Sequence, residues 1–310
     1  MQSNKALRIH AYGGPEVLQL DETPVPTPGT GQVLIQVTAA GINGLDWKIR
    51  DGLVRDVFQL ALPAVLGVEL AGVVAAIGPG ATQFEVGDRV MGSLMGVGAY
   101  AQFVAVDEVK LCLTPADLTD QAAAALPVAT LAAWQSLRAA GELRPGQRIL
   151  IHGAAGGVGG FAVQFAKAAG AIVFATASGA SRDHVQALGA DQVIDRQAER
   201  FEDRVRDIDL VLDLVGGETL DRSWTVLAPD GAIVSMAAPD IVQRAPSGRR
   251  GLWFMMRPDA PQLRRIADAV ASGTLRSTIA ETVGFAGLAA AIERNKQGHA
   301  PGKTLLDLTA

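Results

Sequence analysis

The sequence predicts an α/β protein of two domains, a mostly antiparallel β domain joined to a doubly wound parallel sheet. Three observations predict it. Residues 1–121 are broken by Gly and Pro into short β-type runs. From Arg148 onward, continuously apolar segments alternate with amphipathic ones, as in parallel strands covered on both faces. Between the first such pair, residues 151–160 read IHGAAGGVGG, with five glycines in ten positions.

The bulk properties set the frame. A chain of 310 residues calls for one large or two ordinary domains. A hydrophobic fraction of 49% against 19% charged residues describes a well-buried globular protein. The formal net charge of −5 argues against a nucleic-acid or anionic-membrane partner, which would want a basic face. The N-terminal MQSNKALRIH has no signal-peptide core, and runs such as LWFMM are too short to span a bilayer, so a soluble cytoplasmic protein is expected. The single cysteine, Cys112 in KLCLTP, excludes internal disulfides and multi-cysteine zinc sites and reads as a small core residue.

Taken in order, VLQL, QVLIQVTAAG, LAGVVAAIG, DRVMG and YAQFVAV are strand-like and separated by turn signals such as YGGP, VPTPGTG and VGD. The segment TDQAAAALPVATLAAWQSLRAAG reads as one or two helices, with Pro127 breaking or starting one. Then come RILIH (strand), GGFAVQFAKAAG (helix), AIVFATA (strand), SRDHVQALG (helix) and DQVID (strand). DLVLDLVG, TLDRSWTVL and GAIVSM continue the alternation. Past Met236 the pattern loosens before a helix, PQLRRIADAVASG, and a last apolar run, KTLLDL. The tail reads as β-domain material, giving domains of 1–121 with 272–310 and of 122–271.

A strand that feeds a Gly-rich turn opening a helix has the geometry to hold a diphosphate. Free N–H groups point at the anion, and absent side chains let the backbone approach. Gly153, Gly156 and Gly159 form GxxGxxG, and Ala155, Gly157 and Val158 fill the turn. Its place in a βαβ unit favours a dinucleotide over a mere packing turn. Val215 and Ala237 complete the expected contacts. The second strand ends at Ser178 without the carboxylate that grips the ribose hydroxyls of NAD. Ser178, Ser181, Arg182 and Arg196 can donate to a 2′-phosphate, so NADP(H) is the expected cofactor.

These pieces carry a resemblance: AYGGPEVL, GINGLDWKIRDG, LGVELAGVV, VGDRV, AAWQSL, HGAAGGVG, LGADQVID, LDLVGGETL and PGKTLLDL. Nearly end to end, the chain resembles the medium-chain dehydrogenase/reductases, in their zinc-free quinone oxidoreductase branch. The resemblance implies a GroES-like catalytic domain, a Rossmann cofactor domain, and a cleft between them where NADPH reduces a quinone or an activated alkene. It also implies a dimer or tetramer, with a homodimer expected here, pairing edge strands such as RGLWFMM, which could otherwise be an internal edge strand. Zinc-dependent relatives carry a cysteine at the place of Asn43 and a histidine at that of Val68. A catalytic zinc needs three protein ligands, and valine cannot be one. No metal is expected.

Without a metal, a hydrogen-bond donor must stabilise charge developing on the substrate oxygen. The resemblance places GINGLDWKIR at the cleft floor, so Lys48, Asn43 and Asp46 are the candidate catalytic residues. Lys48 would bond the substrate carbonyl and protonate the enolate, and Asn43 would orient substrate or nicotinamide. The plainer reading pairs Lys48 with Asp46 or with a cofactor ribose. His10, His152, His184 and His299 read as structural or solvated. The competing functions are an NADPH-binding protein with little turnover and an enoyl reductase within a larger assembly. Retention of the polar GINGLDWKIR domain favours an enzyme over the former, and the lack of a carrier domain disfavours the latter.

Overall fold

The computed structural model describes residues 3–94, 96–298 and 301–309, so the expectation for His299 lies outside the described residues. The chain divides into two compact units, Met1–Val128 with Pro258–Ala310, and Ala129–Arg257. The first unit is therefore left after Val128 and not after residue 121, and re-entered at Pro258 and not at 272.

The first unit opens with β1 (Ser3–Ile9), β2 (Leu18–Pro24) and β3 (Gln32–Ile42), then α1 (Gly44–Arg50) and β4 (Ala64–Val65). β5 (Glu69–Ile77), β6 (Arg89–Ser93), β7 (Phe103–Asp107), β8 (Leu111–Leu113), α2 (Asp120–Ala124) and the start of α3 (Pro127–Ser136) follow. The second unit holds β9 (Arg148–His152), α4 (Gly157–Ala168), β10 (Ile172–Ala177), α5 (Arg182–Ala187) and β11 (Gln192–Asp195). It continues through β12 (Ile208–Asp213), α6 (Gly217–Ser223), β13 (Leu227–Ser235), α7 (Ile241–Arg244) and β14 (Arg250–Trp253). α8 (Ala260–Ala271), β15 (Ile279–Val283), α9 (Phe285–Gln297) and β16 (Lys303–Asp307) return the chain to the first unit.

Among the described residues, the first unit carries a small antiparallel sheet ordered β2-β1-β4 and a larger one ordered β15-β16-β3-β5-β6-β8, with β7 also on β3. β16 is thus an interior strand, antiparallel to β3 with Thr304 opposite Ile42. Leu7, Ile35, Leu70, Val90, Leu288 and Leu306 belong to one buried cluster between these layers. The boundary shift has a physical cause. α2 buries Ala123 and Ala124 and lies against β3 and β5, while α8 lies against β8 with Leu263, Ile266 and Ala267 buried. Amphipathic periodicity announces a face to be covered, not the unit that covers it.

α1 begins where Asn43, in extended conformation, gives its N–H to the Asp46 carboxylate at 2.7 Å, which satisfies an orphan donor of the first turn. Gly52, at φ +75°, turns the chain away after it. Arg50 on this helix is fully buried. Its guanidinium meets Asp51 at 2.6 Å and Glu293 of α9 at 2.5 Å, tying the two helices.

The second unit is a parallel sheet ordered β11-β10-β9-β12-β13-β14 among the described residues. Counted from β9, that is the 3-2-1-4-5-6 order of a dinucleotide-binding doubly wound sheet. Leu150, Ile194, Val211 and Ile233 pack with Phe201 and Trp224 in its core. β14 is an edge strand. No helix among the described residues is long and apolar enough to cross a membrane.

Removing one member of a buried ion pair leaves an uncompensated charge. Replacing Arg50 by Met is therefore expected to lower the unfolding free energy by about 3 kcal/mol in denaturant titrations. Glu293→Gln, at the half-exposed end, should cost less.

Candidate functional site

Each unit contributes one constellation. In the second unit, β9 ends at the centre of the sheet and the chain turns through Gly153, whose φ is +73°. The Ala154 N–H bonds to the Thr176 carbonyl at 3.2 Å, which fixes the turn to the neighbouring strand. A Cβ on Gly159 would lie 2.3 Å from the Gly153 carbonyl oxygen and 2.7 Å from Ala154 Cα, so only glycine lets the first turn of α4 close over the loop. The turn sits where the strand order reverses, between β10 and β12, the place at which doubly wound sheets take their ligands. Backbone N–H groups at the start of a twelve-residue helix face this point. A Cβ on Gly156, the residue before the helix, would meet nothing nearer than the Gly153 carbonyl oxygen at 3.5 Å, and this open turn fits a diphosphate.

Two residues that sequence reasoning missed shape its rim. Asp213, fully buried at the end of β12, accepts from the N–H groups of Val215 (3.1 Å) and Gly216 (2.8 Å) and from the Ser235 hydroxyl (2.7 Å). Ser235 Oγ in turn accepts from Ala237 and Ala238 at 3.1 and 3.0 Å. Asp213 thereby sets the two loops that carry Val215 and Ala237. A buried polar residue closing an otherwise apolar strand, as in DLVLD, was the available signal.

The corner expected to hold the 2′-phosphate is assembled only partly as expected. The Ser178 and Ser181 hydroxyls are 3.1 Å apart. Arg196 donates its backbone N–H to Ala177 at 2.9 Å, which places its exposed residue beside the β10 tip. Arg182 is instead committed to the Val193 carbonyl (2.7 Å) and Glu199 (3.0 Å). A carboxylate also stands here: Asp195 Oδ2 lies 2.5 Å from where a Gly179 Cβ would be. It comes from the next strand, and for that reason inspection of the β10 tip alone finds none.

Beneath the turn, buried His152 is neutral. Ser223 donates its hydroxyl to Thr219 at 2.6 Å, so its oxygen accepts from His152 Nε2–H at 3.0 Å, and Nδ1 accepts from Thr176 at 3.0 Å. Burial, aided by the nearby Arg222 charge and opposed by Asp213, pushes its pKa down to about 4.

In the first unit Asn43 and Asp46 of GINGLDWKIR are both engaged with neighbouring residues. Both Asn43 Nδ2 hydrogens are committed, to the Gly41 carbonyl (3.1 Å) and to Glu69 Oε1 (2.8 Å), and Oδ1 accepts from Lys303. Lys303 Nζ meets Glu69 Oε1 at 2.5 Å, and Glu69 Oε2 accepts from the Val128 N–H at 2.6 Å. Glu69 crosses directly over Gly41, where a Cβ would lie 2.2 Å from its Oε1. Asp46 is fully buried, with Oδ2 accepting from Asn43 N–H and from the Tyr100 hydroxyl, each at 2.7 Å. The Tyr100 ring in turn lies against Gly67, where a Cβ would be 2.5 Å from Cδ1. Asp46 Oδ1 has no hydrogen-bond partner. Burial accordingly outweighs the bonds from Tyr100 and Asn43 and raises the Asp46 pKa to about 7. Lys48, on the same helix, is half-buried with Nζ 5.6 Å from the Trp47 ring centroid. Among the described residues no group of three or more His, Cys, Asp or Glu side chains could hold a metal ion. Buried Cys112, its thiol pushed up to about 12 by burial, is not a thiolate ligand.

Comparison with known proteins agrees with this geometry. Residues 29–116 match the alcohol dehydrogenase GroES-like domain and residues 188–306 a zinc-binding dehydrogenase domain. The donor set just described does not fit the zinc in the second description. The chain is 34% identical over 299 residues to the 2-haloacrylate reductase of a Burkholderia species, covering 88% of this chain and 90% of that one. It is 40% identical over 229 residues to the pikromycin polyketide synthase component PikAII of Streptomyces venezuelae, 71% of this chain but 6% of that protein. Among solved structures, the quinone oxidoreductase of Coxiella burnetii superposes with a TM-score of 0.93 at 32% identity, over 99% of this chain and 100% of that one. The Escherichia coli quinone oxidoreductase complexed with NADPH gives 0.88 at 28% identity, over 98% and 100%.

Asp46 and His152, both buried and shifted in opposite senses, give pH dependences of opposite sign. Between about pH 4 and 7 native Asp46 keeps a proton that the unfolded chain has lost, so its contribution to stability falls as pH rises. Between about pH 4 and 6.5 native His152 refuses a proton that the unfolded chain takes, so its contribution falls as pH drops. Denaturant titrations from pH 4.5 to 6.5 should therefore show stability rising with pH in Asp46→Asn and falling with pH in His152→Gln. Each slope is bounded by about 1.4 kcal/mol per pH unit.

Proposed function

Since the chain belongs to the medium-chain dehydrogenase/reductase superfamily, in its quinone oxidoreductase branch, we propose that it is an NADP(H)-dependent, zinc-independent oxidoreductase that passes a hydride to a quinone or an α,β-unsaturated carbonyl. The observation that carries this reading is the glycine turn at the reversal point of the parallel sheet, where Gly153 and Gly159 let α4 begin directly over the loop after β9, so that the first backbone N–H groups of the helix are presented to a diphosphate. The nicotinamide cofactor, when bound, supplies the hydride. The chain's own residues bind and orient it. Gly153, Ala155, Gly156, Gly157, Val158 and Gly159 hold the diphosphate. Ser178, Ser181 and Arg196 meet the 2′-phosphate, with Arg182 adding positive potential while it remains paired. Val215 and Ala237, set by Asp213 and Ser235, line the rim.

Lys48 is the proton-bearing group of this proposal. Its Nζ–H donates to the substrate oxygen as negative charge builds there, and the ammonium then gives a proton to the enolate and is reprotonated by water. Asn43 and Asp46, spent on contacts inside their own unit, serve by holding α1 and not by touching substrate. Quinones need less of this help, because water can protonate the reduced product.

Fluorescence titration and stopped-flow oxidation of NADPH by 1,4-benzoquinone and by methyl vinyl ketone test the reading. NADPH is expected to bind more tightly than NADH, and equal affinities would remove the cofactor assignment. Oxidation by neither acceptor would leave a binding protein. Lys48→Met is expected to lower kcat for the enone at least tenfold and for the quinone less than threefold. A homodimer through the β14 edge is also proposed, since its ladder groups on one side and the half-exposed Trp253 have no strand beside them among the described residues. Light scattering at the mass of one chain would exclude it.

A further inference from the structure

We infer that Lys303 is a positioning residue whose buried ammonium fixes Asn43 and thereby the start of α1, the helix that presents Lys48. The inference rests on the reading of Lys48 given above and deepens it. A lysine at a strand start is ordinarily solvated, and lysine is almost never fully buried unless paired. Lys303 is 6% exposed, Glu69 0% and Asn43 8%, and the three form a closed ring in which each side chain contacts the other two. Three strands supply or border it: β16 brings the ammonium, β5 the carboxylate, and the end of β3 the amide. Neither the carboxylate nor the amide can keep its place if the cation leaves. Glu69 would be an uncompensated charge with no water, and Asn43 Oδ1 would lose its donor.

Fold stability alone does not call for such a device. A buried ion pair is a weak stabiliser compared with apolar side chains of similar volume, and the surrounding core is rich in them. What the ring supplies is orientation. Asn43 is the residue before α1, and its backbone N–H is the one taken by Asp46, so the amide held by Lys303 and Glu69 sets where a seven-residue helix begins and how it is tilted. Lys48 lies in that helix, five residues from Asn43, beside Trp47.

The test uses the full-length protein with Lys303→Ala, whose missing atoms are those of n-propylammonium, and Lys303→Met, which keeps volume without charge. Three quantities are read: kcat with methyl vinyl ketone well below the melting midpoint, KM for NADPH, and the ¹⁹F resonance of 5-fluoro-Trp47, assigned through Trp47→Phe. In both variants kcat should fall at least tenfold with KM changed less than twofold, and the Trp47 resonance should move. In Lys303→Ala, n-propylammonium should restore kcat at least fivefold and return the resonance, while n-propanol should do neither. Unchanged kcat and resonance in folded Lys303→Met overturn the inference, as does equal rescue by propanol. Failure of both uncharged variants to fold, with Lys303→Arg folded and active, assigns Lys303 to stability alone and overturns it too. If the unsubstituted protein turns over no acceptor while the resonance still moves and is rescued, the reductase reading fails and the placement of α1 by Lys303 stands.

Discussion

A carboxylate carried into a strand with no solvent beside it has to be neutralised and hydrogen-bonded on both oxygens, and the β-rich unit is arranged around that requirement at Glu69. One oxygen takes an ammonium and an amide, the other the first free N–H of α3. Gly41 gives up its side chain so that Glu69 can pass over the neighbouring strand. Gly67 does the same for the Tyr100 ring, whose hydroxyl then reaches Asp46. At Gly41 and Gly67 the missing side chain is explained by the larger residue that crosses it.

The parallel-sheet unit solves the same problem differently. There the buried carboxylate, Asp213, meets no cation among the described residues; backbone N–H groups and one hydroxyl satisfy it. Because those donors belong to the loops after two adjacent strands, solvation of one charge doubles as the specification of two loop shapes. His152, held neutral by its burial, has both ring nitrogens satisfied by hydroxyls. At Glu69 the buried charge is met by an ammonium, and at Asp213 by backbone and hydroxyl dipoles.

Much of this was legible in the sequence. The apolar strands from RILIH to GAIVSM, their order-independent alternation with helices, and the turn that glycine alone permits are local patterns, and the parallel sheet and cradle follow from them. The chain's return at Pro258 was not legible, since the apolar stripe of α8 suits either unit. Nor were the partners of Asn43, because Glu69 and Lys303 are remote in sequence and each looks like an ordinary surface charge when read alone. Arg182 misled for a related reason: a guanidinium beside the expected phosphate corner says nothing of Glu199, seventeen residues on, which occupies it. Spacing within one element could be read, whereas charge pairing between elements could not.

The ring that joins Asn43 to Lys303 spans 260 positions of the chain. During synthesis Asn43 and the strand carrying Glu69 leave the ribosome long before Lys303 exists, and the sheet lacks its interior strand β16 for the same interval. The parallel-sheet unit, made from one continuous stretch, has no such wait. The middle of the chain thus holds its whole unit in one continuous stretch, whereas the sheet around Glu69 is complete only once β16 has been made.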